Sequence, residues 1–487
     1  MARTHYEKYI RGVFLLFCGM MMMTLFLSCI YESVEPEIEI ATIEMHTGYS
    51  IQLTVPSKNV EWVSDNPSVA RVSATGLVTA IGKGTATIYT YSSKGKQNIV
   101  CYLEIYPKRN ILFYIGGDSN LSGEVDQKIS QIRQGWTPDK GEMIIYADKK
   151  NVGAYLFRVN GRKDVEGYYG LDTLRNYGQE NSANPKMLER VINTMVSDYP
   201  ADSYGMLFFS HASGWLPAGT LNNPRSLVID DGESVRHEME YDDFAAAIPD
   251  KRFDFIILEA CLMADVMSMY ELRNKAGYVL ASSAEIVSPG FGGSNGLITE
   301  IYKKEIMRLY DTKNGIKSVV SGFAQSYYDY IATIPENDVY CSTTLSLIKT
   351  DEMEALAYAT KMALQGKAVD ETTLDAEAVQ RFDRPGKLIK NGYGNSRYFD
   401  FAHTVEQIAP ESYYRAFNVQ LDKTVVWKAA TKRFLLGNRE TMPDFNEYDG
   451  FFIERHSGLT TYIMQDAYPY LNSIFKSSSW YKAISGE

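Results

Sequence analysis

Gly205-Met-Leu-Phe-Phe-Ser-His211 and Phe253-Asp-Phe-Ile-Ile-Leu-Glu-Ala-Cys261 are two short apolar runs, each ending on a residue that can do chemistry. Runs of this length read as strands buried on both faces of a parallel sheet, and ligands of such sheets gather just beyond the carboxyl ends of the strands. A thiol and an imidazole brought together there make a nucleophile with its base.

Outward from these runs, Ala212-Ser-Gly-Trp215 supplies small residues that let backbone N–H groups approach a substrate oxygen, as an oxyanion hole requires. After Cys261 the apolar positions of Leu262-Met-Ala-Asp-Val-Met-Ser-Met-Tyr-Glu-Leu272 recur at helical spacing. This predicts a helix opening at the cysteine, where its macrodipole favours thiolate. Further strands are predicted over 111–115, 143–147, 155–159 and 278–282, with helices over 185–197 and 241–247 between them. Such alternation gives an α/β class with a largely parallel sheet and helices on both faces. From Gly315 the chain reads as mostly helical, with an amphipathic helix over 351–366 and a strand over 344–348.

Ser210-His-Ala-Ser-Gly-Trp215 and Leu258-Glu-Ala-Cys-Leu-Met-Ala264 resemble the His-Gly-Gly/Ser-Gly-Trp and Asp-Ala-Cys-Leu-Met motifs of the clostripain-like cysteine peptidases. Tyr114-Ile-Gly-Gly-Asp-Ser-Asn-Leu121, Val279-Leu-Ala-Ser-Ser-Ala-Glu285 and Gly458-Leu-Thr-Thr-Tyr462 match further family strands in order, so the resemblance spans about 110 to 482. It implies a caspase-like fold over 110–487, a His211/Cys261 dyad, and cleavage of protein or peptide substrates after Arg or Lys. It also implies an oxyanion site made of the Cys261 and Ala212 N–H groups. Two positions depart from the motifs: Glu259 replaces the family Asp, and Ala212 replaces a Gly. A pocket for a basic side chain needs a carboxylate, because desolvating an unpartnered guanidinium costs several kcal/mol. Glu259 is the first choice for that partner and Glu285 the second. Family members resemble zymogens cut in the loop after the histidine, which makes Arg225 the autocleavage candidate. The alternative reading is a catalytically inactive surface-binding lipoprotein that keeps the fold.

No cofactor is required by this chemistry. Calcium, which some relatives use, would fall to the Asp230-Asp231 pair, for which an acidic turn is the commoner explanation. Net charge is −11 over 487 residues, which argues against nucleic acid as a partner. The five cysteines, at 18, 29, 101, 261 and 341, show neither zinc spacing nor a disulfide framework. His237, His403, His456 and Cys341 read as structural or surface residues.

Arg3, Lys8 and Arg11 precede an apolar stretch from Val13 to Leu27 that is short for a bilayer span and suits a signal peptide over 1–28. Leu25-Phe-Leu-Ser-Cys29 resembles a bacterial lipobox, with Cys29 acylated and the chain held to a membrane of the bacterial cell envelope by its lipid. A Pro-containing acidic tether over 29–40 follows. The segment 41–107 alternates and is punctuated by turns, and Val60-Glu-Trp-Val-Ser-Asp-Asn-Pro-Ser-Val-Ala-Arg-Val72 resembles the bacterial Ig-like group 2 module. Its expected role is a spacer.

Overall fold

The computed structural model describes residues 40–220, 227–232, 236–294, 297–383, 396–435 and 450–486. Cys29 and Arg225 lie outside them. Among the described residues no helix is long and apolar enough to cross a membrane.

The region from Arg109 onward is organised by one nine-stranded sheet. Its strands are β1 (Arg109–Gly117), β2 (Met143–Lys149), β3 (Gly153–Lys163), β4 (Tyr169–Gly178), β5 (Ser203–Phe209), β6 (Phe253–Glu259), β7 (Ala276–Ala281), β8 (Thr344–Lys349) and β9 (Val425–Ala430). The spatial order is β4-β3-β2-β1-β5-β6-β7-β8-β9. The five central strands, β2 to β7 in that order, are parallel. Both margins turn antiparallel: β3 and β4 at one edge, β8 and β9 at the other. A strand over 155–159 was expected and is found, but it is a long hairpin arm folded back on β2, not a crossover strand.

β1 shows why the centre is fixed. Every one of its residues is buried, and its side chains alternate between two separate cores, as a strand's period of two demands. Leu112 and Tyr114 enter one core, with Leu188, Val191 and Ile192 of the helix Pro185–Asp198. Ile111, Phe113 and Ile115 enter the other, with Val125, Ile129 and Ile132 of the helix Ser122–Gly135 and with Val319 and Phe323 of Ile316–Ile331. Each fully buried aliphatic or aromatic side chain contributes about 1.5–3 kcal/mol to this packing. The helix Pro185–Asp198 begins sharply because the Asn184 side chain accepts the Lys186 N–H and proline fills the next position. In β5, Gly205 has no alternative: a Cβ there would lie 2.3 Å from the ring of Phe255 on the neighbouring strand.

Ahead of the sheet, residues from Thr42 to Tyr106 form a small sandwich. A four-stranded sheet (Thr42–His46, Gln97–Tyr106, Gly84–Tyr91, Glu61–Ser64) faces a three-stranded one (Ser50–Gln52, Leu77–Ala80, Ala70–Val72). The alternation in Gly84–Tyr91 is used as expected, with Ala86, Ile88 and Thr90 turned inward. The sandwich touches the region of the large sheet through the Tyr49 hydroxyl, which donates to the Pro138 carbonyl at 2.7 Å, and through a Lys313–Glu44 ion pair.

Candidate active site

β5 and β6 pair in parallel with Phe209 opposite Glu259. His211 and Cys261 each follow by two residues, so they leave the sheet at the same level on neighbouring strands, about 4.8 Å apart in the pairing direction. Both line one cavity of about 410 Å³, together with Asn120, Glu124, Glu259 and Glu285. His211 Nε2 lies 2.5 Å from Asn120 Oδ1. Asn120 sits on the turn that leaves β1, so a third strand end orients the imidazole. The half-buried Cys261 Sγ accepts the Ile286 N–H at 3.4 Å.

The loops carrying the two residues are locked to each other. Leu262 and Ala264 donate backbone N–H groups to Ala284 and Ser282, both at 2.9 Å, stitching the cysteine turn to the extension of β7. Leu262 adopts φ +61, a conformation that costs a non-glycine residue roughly 1–2 kcal/mol. Gly214, at φ +54, packs over it so closely that a Cβ would sit 2.5 Å from the Leu262 carbonyl oxygen. Trp215 is fully buried against Tyr462, ring centroids 4.8 Å apart, and anchors the loop after the histidine.

One expectation fails here. The helix after the nucleophile does not open at Cys261 but at Val266, with Asp265 as its N-cap accepting the Met267 and Ser268 N–H groups. The positive end of the macrodipole therefore meets the Asp265 carboxylate. Burial holds that carboxyl up at about 7. Cys261 gains nothing from the helix, and its setting is the strand end and the imidazole.

A second correction concerns Glu259. Its carboxylate is buried and fully partnered: Lys128 Nζ at 2.7 Å, the Phe291 N–H at 2.7 Å and the Tyr302 hydroxyl. Burial pushes its pKa up, while Lys128, Tyr302 and Phe291 oppose the rise. Lys128 is itself buried, with Nζ 4.0 Å from the Phe209 ring centroid and 3.1 Å from the Pro289 carbonyl. The expected substrate carboxylate is thus spent on an internal lysine. Glu124 also lines the cavity: its Oε1 accepts from Ser288, and its buried Oε2 has no hydrogen-bond partner, with Lys128 Nζ at 3.5 Å. Glu285 also lines the cavity, half-buried. Ala212 is buried in the core and does not line it.

The sequence model of the Clostripain family, Peptidase_C11, matches residues 113–439. The chain belongs to the clostripain family. A bacterial Ig-like domain of group 2 matches residues 44–101. This clostripain-family chain is 23% identical over 216 residues to Clostripain of Hathewaya histolytica, a match that covers 38% of this chain and 40% of that protein's length. An inactive zymogen C11 protease from Parabacteroides distasonis is 27% identical, covering 78% of this chain and 98% of that one, with a TM-score of 0.63. A secreted C11 cysteine protease from Bacteroides thetaiotaomicron, solved in complex with an irreversible peptide inhibitor, is 26% identical over 78% of this chain and 100% of that one, also with a TM-score of 0.63.

Within the family fold, the other sequence candidates fall into place. His237 is exposed on the strand His237–Met239. His403 Nδ1 accepts the Gln380 N–H at 3.1 Å, and neither the half-buried His456 nor the buried Cys341 lines the cavity. The Asp230-Asp231 pair splits. Asp231 is ion-paired to Lys150 at 2.9 Å and to Arg236 at 2.8 Å, so it is no cation ligand. Asp230 instead joins Asp118 and Asp148 in a buried cluster, one oxygen from each lying within 4.8 Å of the others. Asn120, Glu124 and Lys128 were missed by sequence reasoning. All three lie within or just beyond Tyr114–Leu121, in the turn after a central strand and the first turns of its helix, where such sites collect.

Proposed function

We propose that the chain is a cysteine endopeptidase working through a His211/Cys261 dyad, held to a membrane by lipid on Cys29. The observation that carries the dyad is the register of β5 and β6, which delivers an imidazole and a thiol to the same level of one cavity. His211 takes the Sγ proton, and Sγ attacks the scissile carbonyl carbon. The oxyanion forms against the backbone N–H of Cys261. His211 then protonates the leaving amine, and the acyl group remains on sulfur as a thioester. Water, deprotonated by His211, attacks the thioester and regenerates the thiol. Asn120 holds the ring through both proton transfers.

A preference for Arg or Lys before the scissile bond is supported by a cavity lined by Glu124, Glu259 and Glu285 and by no lysine or arginine among the described residues. With Lys128 balancing one carboxylate, the floor keeps a net negative charge. The relative described as an inactive zymogen supports a zymogen form of this chain, and the activating cut we propose for it is after Arg225, in the segment after His211.

A peptidyl electrophile carrying a Lys or Arg at its reactive end tests the reading. Mass-spectrometric labelling of Cys261 is expected, together with loss of peptide hydrolysis by at least three orders of magnitude in Cys261→Ala and His211→Ala. Near wild-type turnover in His211→Ala would exclude the dyad.

A further inference from the structure

The cavity that holds His211 and Cys261 changes character along its length, and the sheet order says how. β1, β5, β6 and β7 are parallel neighbours, so the Asn120 turn, His211, Cys261 and the segment after Ala281 follow one another across their carboxyl ends. β8 runs antiparallel to β7, so its beginning completes the row. Thr344 Oγ1 fixes that join, lying 2.8 Å from Ser282 Oγ and accepting the Ala284 N–H at 2.9 Å. The charged group of Glu124, Lys128 and Glu259 gathers around the helix Ser122–Gly135, which follows the Asn120 turn.

The β7–β8 end is built differently. There Val339, Phe434 and Leu435 line the cavity together with Ile286 and Val287. Glu285, just before Ile286 in the chain, is the one charged residue that these segments bring to the lining among the described residues. The apolar side chains form a wall. The Leu435 N–H donates to Ser342 Oγ at 2.8 Å, which joins the strand Arg433–Leu435 to the segment that carries Val339. Phe434 stacks on Phe451 of the neighbouring strand Gly450–Phe452, ring centroids 5.4 Å apart. Ile286 is fixed at the nucleophile itself, donating its N–H to Cys261 Sγ at 3.4 Å. Phe434 and Leu435 are buried, whereas Ile286, Val287 and Val339 are half-buried and keep apolar surface in water. Covering that surface with another apolar group is favourable.

We propose that Ile286, Val287, Val339, Phe434 and Leu435 form a second subsite, which takes an aliphatic or aromatic side chain standing beside the basic residue at the cleaved bond. The occupant belongs to the peptide substrate because the wall is continuous with the cavity of the dyad, and Ile286 reaches the sulfur. The two ends of the cavity then read two neighbouring side chains, one by charge and one by apolar contact. The substrate class narrows accordingly, to polypeptides in which an Arg or Lys stands next to a large apolar residue. A cavity that selected by charge alone would be indifferent to the neighbours of the basic residue. The proposal rests on the reading of this cavity as a peptidase site for Arg or Lys.

The test uses the full chain in detergent, as wild type, Val339→Asp and Cys261→Ala. Synthetic peptides hold Arg at the cleaved position and carry Leu, Phe, Ser or Asp at each flanking position in turn. For the wild type, kcat/KM is expected to be about 10-fold to 100-fold higher with Leu or Phe than with Ser at one of those positions. In Val339→Asp that ratio should fall to near one. If Val339→Asp fails to fold, Val339→Thr, which keeps the shape and adds a hydroxyl, is read in the same way. Equal wild-type rates for all four residues at every flanking position, or a ratio unchanged by the substitution, would overturn the subsite. Calorimetric binding of the same peptides to Cys261→Ala reads the wall without the chemistry. A wild type that cleaves nothing, beside a Cys261→Ala protein that binds Leu-flanked peptides at least 10-fold more tightly than Ser-flanked ones, would sink the peptidase reading and keep the subsite. Cleavage after Arg with a flat flanking profile would do the reverse.

Discussion

At the scale of single residues, the balance of charge around Lys128 decides what the cavity can select. Glu259 stands where the family motif has its acid, yet Lys128 at 2.7 Å already neutralises it. Breaking such a buried pair typically costs about 3–5 kcal/mol, because the remaining charge is left in a low-dielectric setting. Glu259→Gln is therefore expected to act first on stability, lowering the chemical-denaturation midpoint, the reverse of a simple pocket residue. Glu124 is bound less completely, through Ser288 and one long approach to Lys128. Glu124→Gln should leave the midpoint nearly unchanged and cut kcat/KM for substrates with Arg or Lys at the cleaved position by about 10-fold to 100-fold relative to Leu. Parallel peptide-cleavage and urea titrations on the two variants check both halves. A Glu259→Gln protein of wild-type stability with lost basic selectivity would restore the motif acid to the substrate.

At the scale of elements, the strand ends carry a second, pH-dependent constraint. His456 is half-buried between the end of β7 and the start of β8, with Nε2 3.3 Å from Ser283 Oγ and 3.5 Å from Ser346 Oγ, and its ring packs on Phe382. Burial, helped by Lys428, holds its pKa down to about 3. The folded state thus keeps His456 neutral while the unfolded chain protonates it near 6.5. Its contribution is fully present above pH 6.5 and is lost as pH falls toward 3, at about 1.4 kcal/mol per pH unit. Between pH 7.5 and 5.5 the wild type should lose about 1.4 kcal/mol more stability than His456→Gln. Identical pH slopes in urea melts of the two proteins would contradict this. The same elements show what a sequence can and cannot say. Apolar runs fixed the central strands, since residues such as Ile111 and Leu112 must both be buried and only a sheet covered on two faces permits it. The antiparallel margins were unreadable, because an apolar run has no direction. The helix start was misplaced for a local reason: Leu262, Met263 and Ala264 continue the helical spacing, but Asp265 with Ser268 is a capping pair that begins the helix after them. Nothing in the sequence marks Lys128, and only the fold reveals that it is turned inward onto Glu259 beneath the cavity.

At the scale of the whole molecule, the question is how a peptidase built on one sheet is delivered to its substrates. The leader has a basic start at Arg3, Lys8 and Arg11, an apolar stretch to Leu27, and Ser28-Cys29. The tether over 29–40 is twelve residues long and reaches at most roughly 40 Å when extended. In chain order the Ig-like sandwich follows that segment and precedes β1, contacting the catalytic region at Tyr49 and Glu44. A single acyl chain binds a bilayer weakly and reversibly, whereas two or more hold firmly. Acylation of Cys29 by several chains, with removal of residues 1–28, is expected to place the mature protein entirely in the detergent phase on cloud-point partitioning and to incorporate labelled palmitate. Cys29→Ser should lose the label and move to the aqueous phase if the leader is cleaved. A mutant that partitions like the wild type, still bearing Arg3 to Leu27, would instead mean that an uncleaved apolar segment is the anchor.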